Sequence, residues 1–229
     1  MFEIFENVEY EVINKGKDFV IGDIHYDSRK IKENDVFCAL IGAVTDGHNY
    51  IEKAVNSGAK MVIAEKKDIT VADNDVTYIF VDNLRKHLGV IASNFFGWPQ
   101  KKLKIIGITG TNGKTTSSYI LDSMLENTSR IGTIGYKILD EEIEAPNTTP
   151  ESLDLVKMLD KSLKKGVEYF IMEVSSHALE IGRVDMLEFD SVMFTNLTQD
   201  HLDYHENMEN YFNAKFKLFS MLRNKDAAA

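Results

Sequence analysis

The sequence predicts an α/β protein of two domains, each organised around a mostly parallel sheet. Short apolar runs alternate with helical patterns along the chain, which is the order expected when helices connect parallel strands. A glycine-rich stretch at 107–116 joins an apolar run to a helical pattern. The length of 229 residues suits one large domain or two smaller ones.

The first part of the chain contains the elements of a small domain. In chain order we expect a strand at 35–40, a helix at 50–56, strands at 61–64 and 78–81, and a helix from 83 to about 96. Gly58 ends the first helix, and Asn83 can cap the second. Gly97 and Pro99 then break the pattern. We therefore expect a boundary at 97–102 and domains at 1–98 and 99–229.

The second part repeats the alternation. Its expected elements are a strand at 103–108, a helix at 116–125, a strand at 130–138, a helix at 151–165, strands at 169–174 and 191–195, and a helix at 208–222. Thr149 and Pro150 form an N-cap and N1 pair, Gly166 follows a helix, and Asn207 caps the last one. Ligands of such sheets gather at the carboxyl ends of the strands.

Composition narrows the possible functions. A net charge of −10 argues against a general nucleic-acid binder, since phosphate backbones require a basic surface. Cys38 is the only cysteine, so no internal disulfide can form. The first residues are acidic, unlike a signal peptide, and no apolar run is long enough for a membrane helix. We expect a cytoplasmic protein that neither enters a membrane nor binds nucleic acid.

The segment 107–116 reads Gly-Ile-Thr-Gly-Thr-Asn-Gly-Lys-Thr-Thr and is typical of a phosphate-binding loop. Its backbone N–H groups and the following helix N-terminus can face an anion. We expect Lys114 to bind phosphate oxygens and the Thr115 hydroxyl to face magnesium. Ile108 stands where the general pattern has its first glycine. An ordinary strand-to-helix turn is the alternative interpretation.

Polar residues follow two other predicted strands. Glu173 ends one of them, where a carboxylate can bind a phosphate-bound metal, although a solvated strand-end charge is the alternative. The segment after the next strand carries Asn196, Asp200, His201, Asp203 and His205. Zinc is one interpretation, but the spacing is not typical of zinc and no cysteine is nearby, which favours a hard-metal or nucleotide pocket. His201 is the leading ligand candidate, and His205 is as readily structural.

Lys215 interrupts the apolar face of the last helix. That face is predicted from Met208, Tyr211, Phe212, Phe216, Phe219 and Leu222. A lysine facing inward needs a partner or a chemical modification. A lysine reaching outward from the edge of the stripe is the alternative, and the pattern does not distinguish them. Arg29 and Arg183 can recognise phosphate or carboxylate, although 27–29 and 147–149 can also be simple turn and capping segments.

These segments together resemble the Mur ligases of bacterial cell-wall synthesis, in particular those that add the third amino acid. The matching segments, in order, are 27–29, 46–48, 110–116, 132–135, 147–150, 173–179, 195–205 and 211–215. The resemblance implies an N-terminal domain for the uridine nucleotide and the first half of a central P-loop-type ATPase domain. A third domain, which holds the incoming amino acid in the family, lies outside these residues. The amino acid therefore cannot be read from this chain.

The resemblance also implies residue roles. ATP would contact Gly110, Thr111, Asn112, Gly113, Lys114, Thr115, Thr116 and Asn196. Magnesium would bind Thr115, Glu173, His201 and Lys215, the last through a carbamate formed with carbon dioxide. The uridine nucleotide would contact Tyr26, Ser28, Ala43, Val44 and Thr45, and the sugar–peptide part Asn147, Thr148, Thr149, Ser175 and Arg183. Lys114, Lys215 and His201 would be the catalytic residues. Ile181 replaces a glutamine often found there, which removes one expected substrate hydrogen bond.

The implied activity is ATP-dependent amide formation on UDP-MurNAc-L-Ala-D-Glu through an acyl phosphate. We expect a monomer, and we expect residues 1–229 alone not to ligate, because the amino-acid pocket is missing. One alternative is a short module that binds nucleotide or UDP-sugar without ligating. Another is a different P-loop enzyme, a kinase or ATPase, in which 27–29 and 147–150 would have no role.

Overall fold

The computed structural model describes residues 1–42 and 45–224. They form two compact units, Met1–Phe95 and Phe96–Ala229. The division falls at 95/96, just before the segment 97–102 in which the sequence predicts a boundary. None of the helices in the described residues is long and apolar enough to cross a membrane.

The first unit contains a five-stranded sheet. Its elements are β1 (Glu11–Asn14), β2 (Ile24–His25), β3 (Val36–Ala39), α1 (Ile51–Asn56), β4 (Met61–Ala64), β5 (Thr77–Phe80) and α2 (Leu84–Phe96). The strand order is β1-β5-β4-β3-β2, and only β1 pairs antiparallel. Every residue of β3 and β4 is buried, which explains their uninterrupted apolar sequences. The sequence pattern did not predict the short strands β1 and β2.

The second unit contains a six-stranded sheet. Its elements are β6 (Lys104–Thr109), α3 (Lys114–Met124), β7 (Thr128–Ile131), β8 (Tyr136–Ile138), β9 (Glu141–Ile143), α4 (Ser152–Lys164), β10 (Tyr169–Glu173), α5 (Ser176–Glu180), β11 (Ser191–Phe194), α6 (Leu202–His205) and α7 (Met208–Ser220). The strand order is β11-β6-β10-β7-β8-β9. The first four strands are parallel, and β8 and β9 are antiparallel.

Strand pairing brings three loops to one edge of this sheet. Glu173 at the end of β10 is opposite Ile108 in β6, and Phe194 at the end of β11 is opposite Thr109. The chain segments that follow β6, β10 and β11 therefore start side by side. They are the segments that carry most of the polar residues noted in the sequence.

Two predicted elements are wrong in detail. The strand predicted at 130–138 is two antiparallel strands, β7 and β8, because the chain reverses through the turn that contains Gly132 and Gly135. The sequence predicted Thr149 as the N-cap of α4, but Glu151 occupies that position. The Thr149 hydroxyl instead donates a hydrogen bond to the main-chain oxygen of Glu173, 3.0 Å away.

The buried face of α7 also differs from the predicted stripe. Tyr211, Ala214, Lys215 and Leu218 are its buried residues. Phe212 and Phe216 are 40% and 52% exposed, and their rings stack with centroids 5.4 Å apart. The aromatic residues thus stack with one another on an outer face of the helix. Lys215 is only 2% exposed, so the inward-facing alternative holds.

Candidate functional site

At two positions in the glycine-rich loop between β6 and α3, the backbone has a conformation that only glycine adopts easily. Gly110 has a φ of 138° and Gly113 a φ of 85°. A Cβ on Gly110 would also overlap the Thr195 hydroxyl. α3 then begins at Lys114, so the free N–H groups of its first turn face the loop. Such a helix start favours an anion.

Asn196, in the segment after β11, holds the loop in place. Its side-chain oxygen accepts from the Asn112 N–H at 3.0 Å, and its amide donates to the Asn112 carbonyl at 3.0 Å. Its own carbonyl accepts from the Thr111 N–H at 2.9 Å. Thr195 adds a 2.6 Å hydrogen bond to the Asn112 carbonyl. The loop is therefore fixed before any ligand binds, which reduces the entropy that binding must overcome.

Two lysines meet at one carbonyl oxygen of the loop. Lys114 Nζ and Lys215 Nζ each donate to the Gly110 oxygen at 2.9 Å. Lys114 also donates to the Thr111 oxygen at 2.9 Å, and Lys215 lies over the Tyr211 ring, 4.4 Å from its centroid. Because both nitrogens bind the same oxygen, the two Nζ atoms are separated by at most twice 2.9 Å. They make the loop electropositive.

Burial and mutual repulsion lower the pKa values of these lysines. Burial lowers the pKa of Lys114, opposed by the nearby carboxylates of Glu173 and Asp200. Burial and then the charge of Lys114 lower the pKa of Lys215 to about 8, opposed by Asp200. At pH 7 about a tenth of Lys215 therefore carries a neutral, nucleophilic amine, far more than for a lysine with an ordinary pKa.

Glu173 ends β10 with a fully buried carboxylate beside the loop. Its Oε2 accepts hydrogen bonds from the Thr115 hydroxyl at 3.0 Å and the Thr133 hydroxyl at 3.1 Å. Its Oε1 accepts from the Thr133 N–H at 3.3 Å. Carboxylate and hydroxyl oxygens are hard ligands of the kind that Mg²⁺ prefers, so this pair of side chains fits the ion.

The segment before α4 packs against the end of β10. The Thr149 hydroxyl accepts from the Ser175 N–H at 3.1 Å, and Arg183 Nη1 donates to the Thr149 carbonyl at 3.0 Å. The Thr148 and Thr133 hydroxyls lie 3.0 Å apart, and the Asn147 carbonyl accepts from the Tyr136 hydroxyl. All five residues predicted for the sugar–peptide part thus lie in segments adjoining Glu173: Asn147, Thr148, Thr149, Ser175 and Arg183.

The two histidines after β11 have different environments. His201 is exposed, with a φ of 51°, and its Nε2 lies 3.5 Å from Asp200 Oδ2. Within residues 1–42 and 45–224, no hydrogen bond joins His201 to Thr115 or Glu173, and no three His, Cys, Asp or Glu residues cluster as a metal site. His205 is buried, its Nε2 lies 2.9 Å from Ser176 Oγ, and burial lowers its pKa.

The residues predicted to contact uridine belong to the first unit. Ser28 is buried and Tyr26 is half-buried, whereas Thr45 is exposed. Ala43 and Val44 lie outside the described residues. Next to Ser28, Arg29 forms a two-pronged pair with Asp27 at 2.9 and 2.8 Å, and this bonding lowers the pKa of Asp27 to about 2. The Arg29 side chain is 78% exposed, which leaves its outer face accessible.

The structure adds residues that the sequence pattern left without a role. Thr133 contacts Glu173 and Thr148, Thr195 contacts the loop, and the Tyr211 hydroxyl lies 3.3 Å from Thr111 Oγ1. The segment 132–135 was the available signal for Thr133, because its two glycines indicate a tight turn. Nothing in the sequence shows which side chain that turn approaches.

Two sequence families match this chain. The one described as the Mur ligase middle domain matches residues 108–229. The one described as the Mur ligase family, catalytic domain, matches residues 20–96. The first match alone spans more than half of the chain.

Individual relatives give the same result. A UDP-N-acetylmuramoyl-L-alanyl-D-glutamate–2,6-diaminopimelate ligase of Fusobacterium nucleatum is 58% identical over 223 residues, which cover 96% of this chain and 46% of the relative. A ligase of the same name from Clostridium tetani is 47% identical, with coverages of 95% and 46%. The chain thus spans about half the length of the curated relatives it matches.

Solved structures share the fold. One, named as a UDP-N-acetylmuramoyl-L-alanyl-D-glutamate–2,6-diaminopimelate ligase, has a TM-score of 0.70 at 30% identity and covers 88% of this chain and 41% of that one. A MurF ligase from Thermotoga maritima, in complex with ADP, has a TM-score of 0.64 at 23% identity, with coverages of 88% and 43%. The matches to sequence families, relatives and solved structures agree along nearly the whole chain, which therefore belongs to the Mur ligase family.

Proposed function

We propose that this chain provides the ATP-binding and UDP-substrate-binding parts of an amide-forming ligase. The reaction adds 2,6-diaminopimelate to UDP-N-acetylmuramoyl-L-alanyl-D-glutamate in peptidoglycan synthesis. The amino acid comes from the names of the relatives, since the chain itself gives no signal for it. The observation that carries the proposal is the meeting of Lys114, Lys215 and the Thr115–Glu173 pair around one glycine-rich loop.

The loop and the start of α3 bind the phosphates of ATP in this proposal. The contacts come from Gly110, Thr111, Asn112, Gly113, Lys114, Thr115 and Thr116. Lys114 now donates to two loop carbonyls, and these hydrogen bonds exchange for phosphate oxygens when ATP binds. Asn196 holds the loop, and the exposed segment around it is available to the rest of the nucleotide.

Thr115 and Glu173 would hold Mg²⁺, which neutralises charge on the phosphates when bound. His201 would join them only after its segment moves, since His201 now pairs with Asp200. Lys215 would contribute as a carbamate. Its neutral amine adds to carbon dioxide, forms one N–C bond and releases one proton. The resulting anion would replace a cation beside Lys114, and their repulsion would become attraction.

The reaction has two steps. A phosphoryl group moves from ATP to a carboxylate oxygen, and an amine then substitutes for phosphate at the acyl carbon. The D-glutamate side-chain carboxylate of the substrate attacks the γ-phosphorus of ATP and releases ADP. The amine of the incoming amino acid then forms a bond to the acyl carbon and loses one proton, and phosphate leaves with the former carboxylate oxygen. Lys114 offsets charge on the transferred group, so the contribution of the chain is positioning and electrostatic stabilisation.

The substrate side of the site is proposed for two groups of residues. Thr148, Thr149, Ser175, Arg183 and Asn147 would hold the sugar–peptide part, with Thr149 and Ser175 acting partly through their mutual hydrogen bonds. Tyr26, Ser28 and 43–45 would contact the uridine nucleotide. We also propose that the protein acts as a monomer in the cytoplasm, which agrees with its single buried cysteine.

Calorimetry with residues 1–229 tests the proposal. Titration with the ATP analogue AMP-PNP and Mg²⁺ should show binding, and Lys114→Met should weaken it at least tenfold, since a buried charge-assisted contact is lost. Lys164→Met, which removes an exposed lysine on α4, is the matched control and should bind as the parent chain does. UDP-N-acetylmuramoyl-L-alanyl-D-glutamate should bind separately. If that ligand does not bind while AMP-PNP does, the proposed UDP-substrate-binding role is wrong.

A further inference from the structure

The turn at 132–135, between β7 and β8, has no part in the function proposed above. Its residues are Gly132, Thr133, Ile134 and Gly135. Thr133 is exposed, yet both its hydroxyl and its N–H donate to the buried carboxylate of Glu173. One residue of the turn therefore contacts both oxygens of the proposed Mg²⁺ ligand.

The hydrogen-bond directions follow from the number of donors. The Thr133 hydroxyl has one hydrogen, which points to Glu173 Oε2 at 3.1 Å. The Thr148 hydroxyl, 3.0 Å from Thr133, must then donate to it. Thr148 thus supports Thr133, and Thr133 supports Glu173. Thr115 reaches Oε2 from the opposite element, the start of α3.

Gly132 allows this approach. A Cβ at position 132 would overlap Glu173 Oε1 and lie 2.7 Å from the carboxyl carbon. A Cβ at Gly135 would lie 3.7 Å or more from its neighbours, which is ordinary contact distance. The two glycines of the same turn therefore differ, and only the first provides space for the carboxylate.

We propose that Thr133 is a positioning residue, which orients the Glu173 carboxylate for Mg²⁺ in the space that Gly132 leaves. The inference rests on the proposed role of Glu173 as a Mg²⁺ ligand. Thr115 would hold the ion through a hydroxyl lone pair and would keep its hydrogen for Oε2. Thr133 donates to both carboxylate oxygens, whereas Thr115 donates only to Oε2, so the two hydrogen bonds from Thr133 fix the plane of the carboxylate. A ligand held by such outer partners loses less freedom on binding.

The test compares nucleotide binding with and without Mg²⁺, using AMP-PNP and calorimetry on residues 1–229. Without Mg²⁺, Thr133→Val should bind AMP-PNP as the parent chain does, because the loop and Lys114 are intact. Mg²⁺ should increase the affinity of the parent chain for AMP-PNP. The Mg²⁺ concentration that gives half of this increase should be about 10- to 100-fold higher for Thr133→Val than for the parent chain. Thr133→Ser keeps the hydroxyl and should restore the parent value to within about threefold.

Three further variants separate positioning from general damage. Gly132→Ala should also raise the Mg²⁺ concentration that is required, because it displaces Glu173, whereas Gly135→Ala should match the parent chain. Thr128→Val removes a hydroxyl that bonds another carboxylate, that of Asp122, and should leave the Mg²⁺ dependence unchanged. Thermal unfolding confirms that each variant is folded.

The outcomes are distinct. If the parent chain shows Mg²⁺-dependent affinity and Thr133→Val shows the same dependence, the positioning role is wrong and the proposed Mg²⁺ site stands. If the parent chain binds AMP-PNP equally with and without Mg²⁺, the proposed Mg²⁺ site itself is wrong. If Thr133→Val needs a higher Mg²⁺ concentration than the parent chain and Thr133→Ser does not, the inference is supported.

Discussion

Replacing Lys215 by methionine should make the second unit more stable at neutral pH. The side chain is 2% exposed, and its pKa falls from an ordinary value of 10.5 to about 8. At pH 7 the folded chain therefore holds a buried ammonium at a cost of about 3 kcal/mol. Methionine has similar length and no charge. The Gly110 carbonyl that Lys215 would leave still accepts from Lys114.

The pH dependence gives the sharper test. Above pH 8 folded Lys215 loses its proton, whereas the unfolded chain keeps it until about pH 10.5, so the stability of the parent chain rises with pH in this interval. We expect Lys215→Met to be more stable by about 1–3 kcal/mol at pH 7 and by less than about 1 kcal/mol at pH 10. Groups that titrate equally in both proteins cancel in the difference.

Urea denaturation in buffers purged of carbon dioxide measures this difference. Trp98, the only tryptophan, belongs to the second unit and reports its unfolding by fluorescence. A methionine variant that is less stable at pH 7 would show that the hydrogen bond to Gly110 outweighs the burial of charge. A gain of equal size at both pH values would refute the lowered pKa as its cause.

Three other predictions concern sites away from Lys215. Gly107→Ala should destabilise the second unit by about 1–3 kcal/mol in urea denaturation, because the new Cβ would lie 2.7 Å from the Phe189 ring. The carboxyl of Asp27 should titrate near pH 2 by carbon NMR, and its pKa should rise toward the ordinary value in Arg29→Gln. The pair therefore contributes stability above about pH 4, and this contribution is lost as the pH falls to about 2. His205 should titrate below its ordinary 6.5 by imidazole NMR, since burial opposes its protonation, and acid should destabilise the fold through this residue.

The parallel alternation and the phosphate loop were predictable from local sequence. Apolar runs such as 61–64 coincide with strands, and Asn207 caps α7 through a hydrogen bond to the Asn210 N–H. These features depend on residues close together in sequence. The antiparallel hairpin of β7 and β8 was missed because the strands are only four and three residues long and the pattern does not show the reversal at Gly132.

The site was predictable only in part. The glycine-rich segment and Lys114 form a recognisable pattern. Lys215 could be singled out because it interrupts the apolar stripe of the last helix. The contacts of Thr133 with Glu173 join residues 40 positions apart, so no local pattern reveals them. The role of Thr149 was missed for a similar reason. A threonine before a helix can cap that helix or bond to a distant strand, and the sequence does not distinguish the two.

The strand order also sets when the phosphate loop can form during synthesis. β6 is flanked by β10 and β11, so both of its neighbours emerge from the ribosome long after it does. The hydrogen bonds from Asn196 to the loop require still later residues. Such long-range pairing folds slowly, because loop closure must precede the gain from contact. A nascent chain should therefore be unable to retain nucleotide until the segment beyond β11 has been made, and its exposed β6 is a natural target for chaperones.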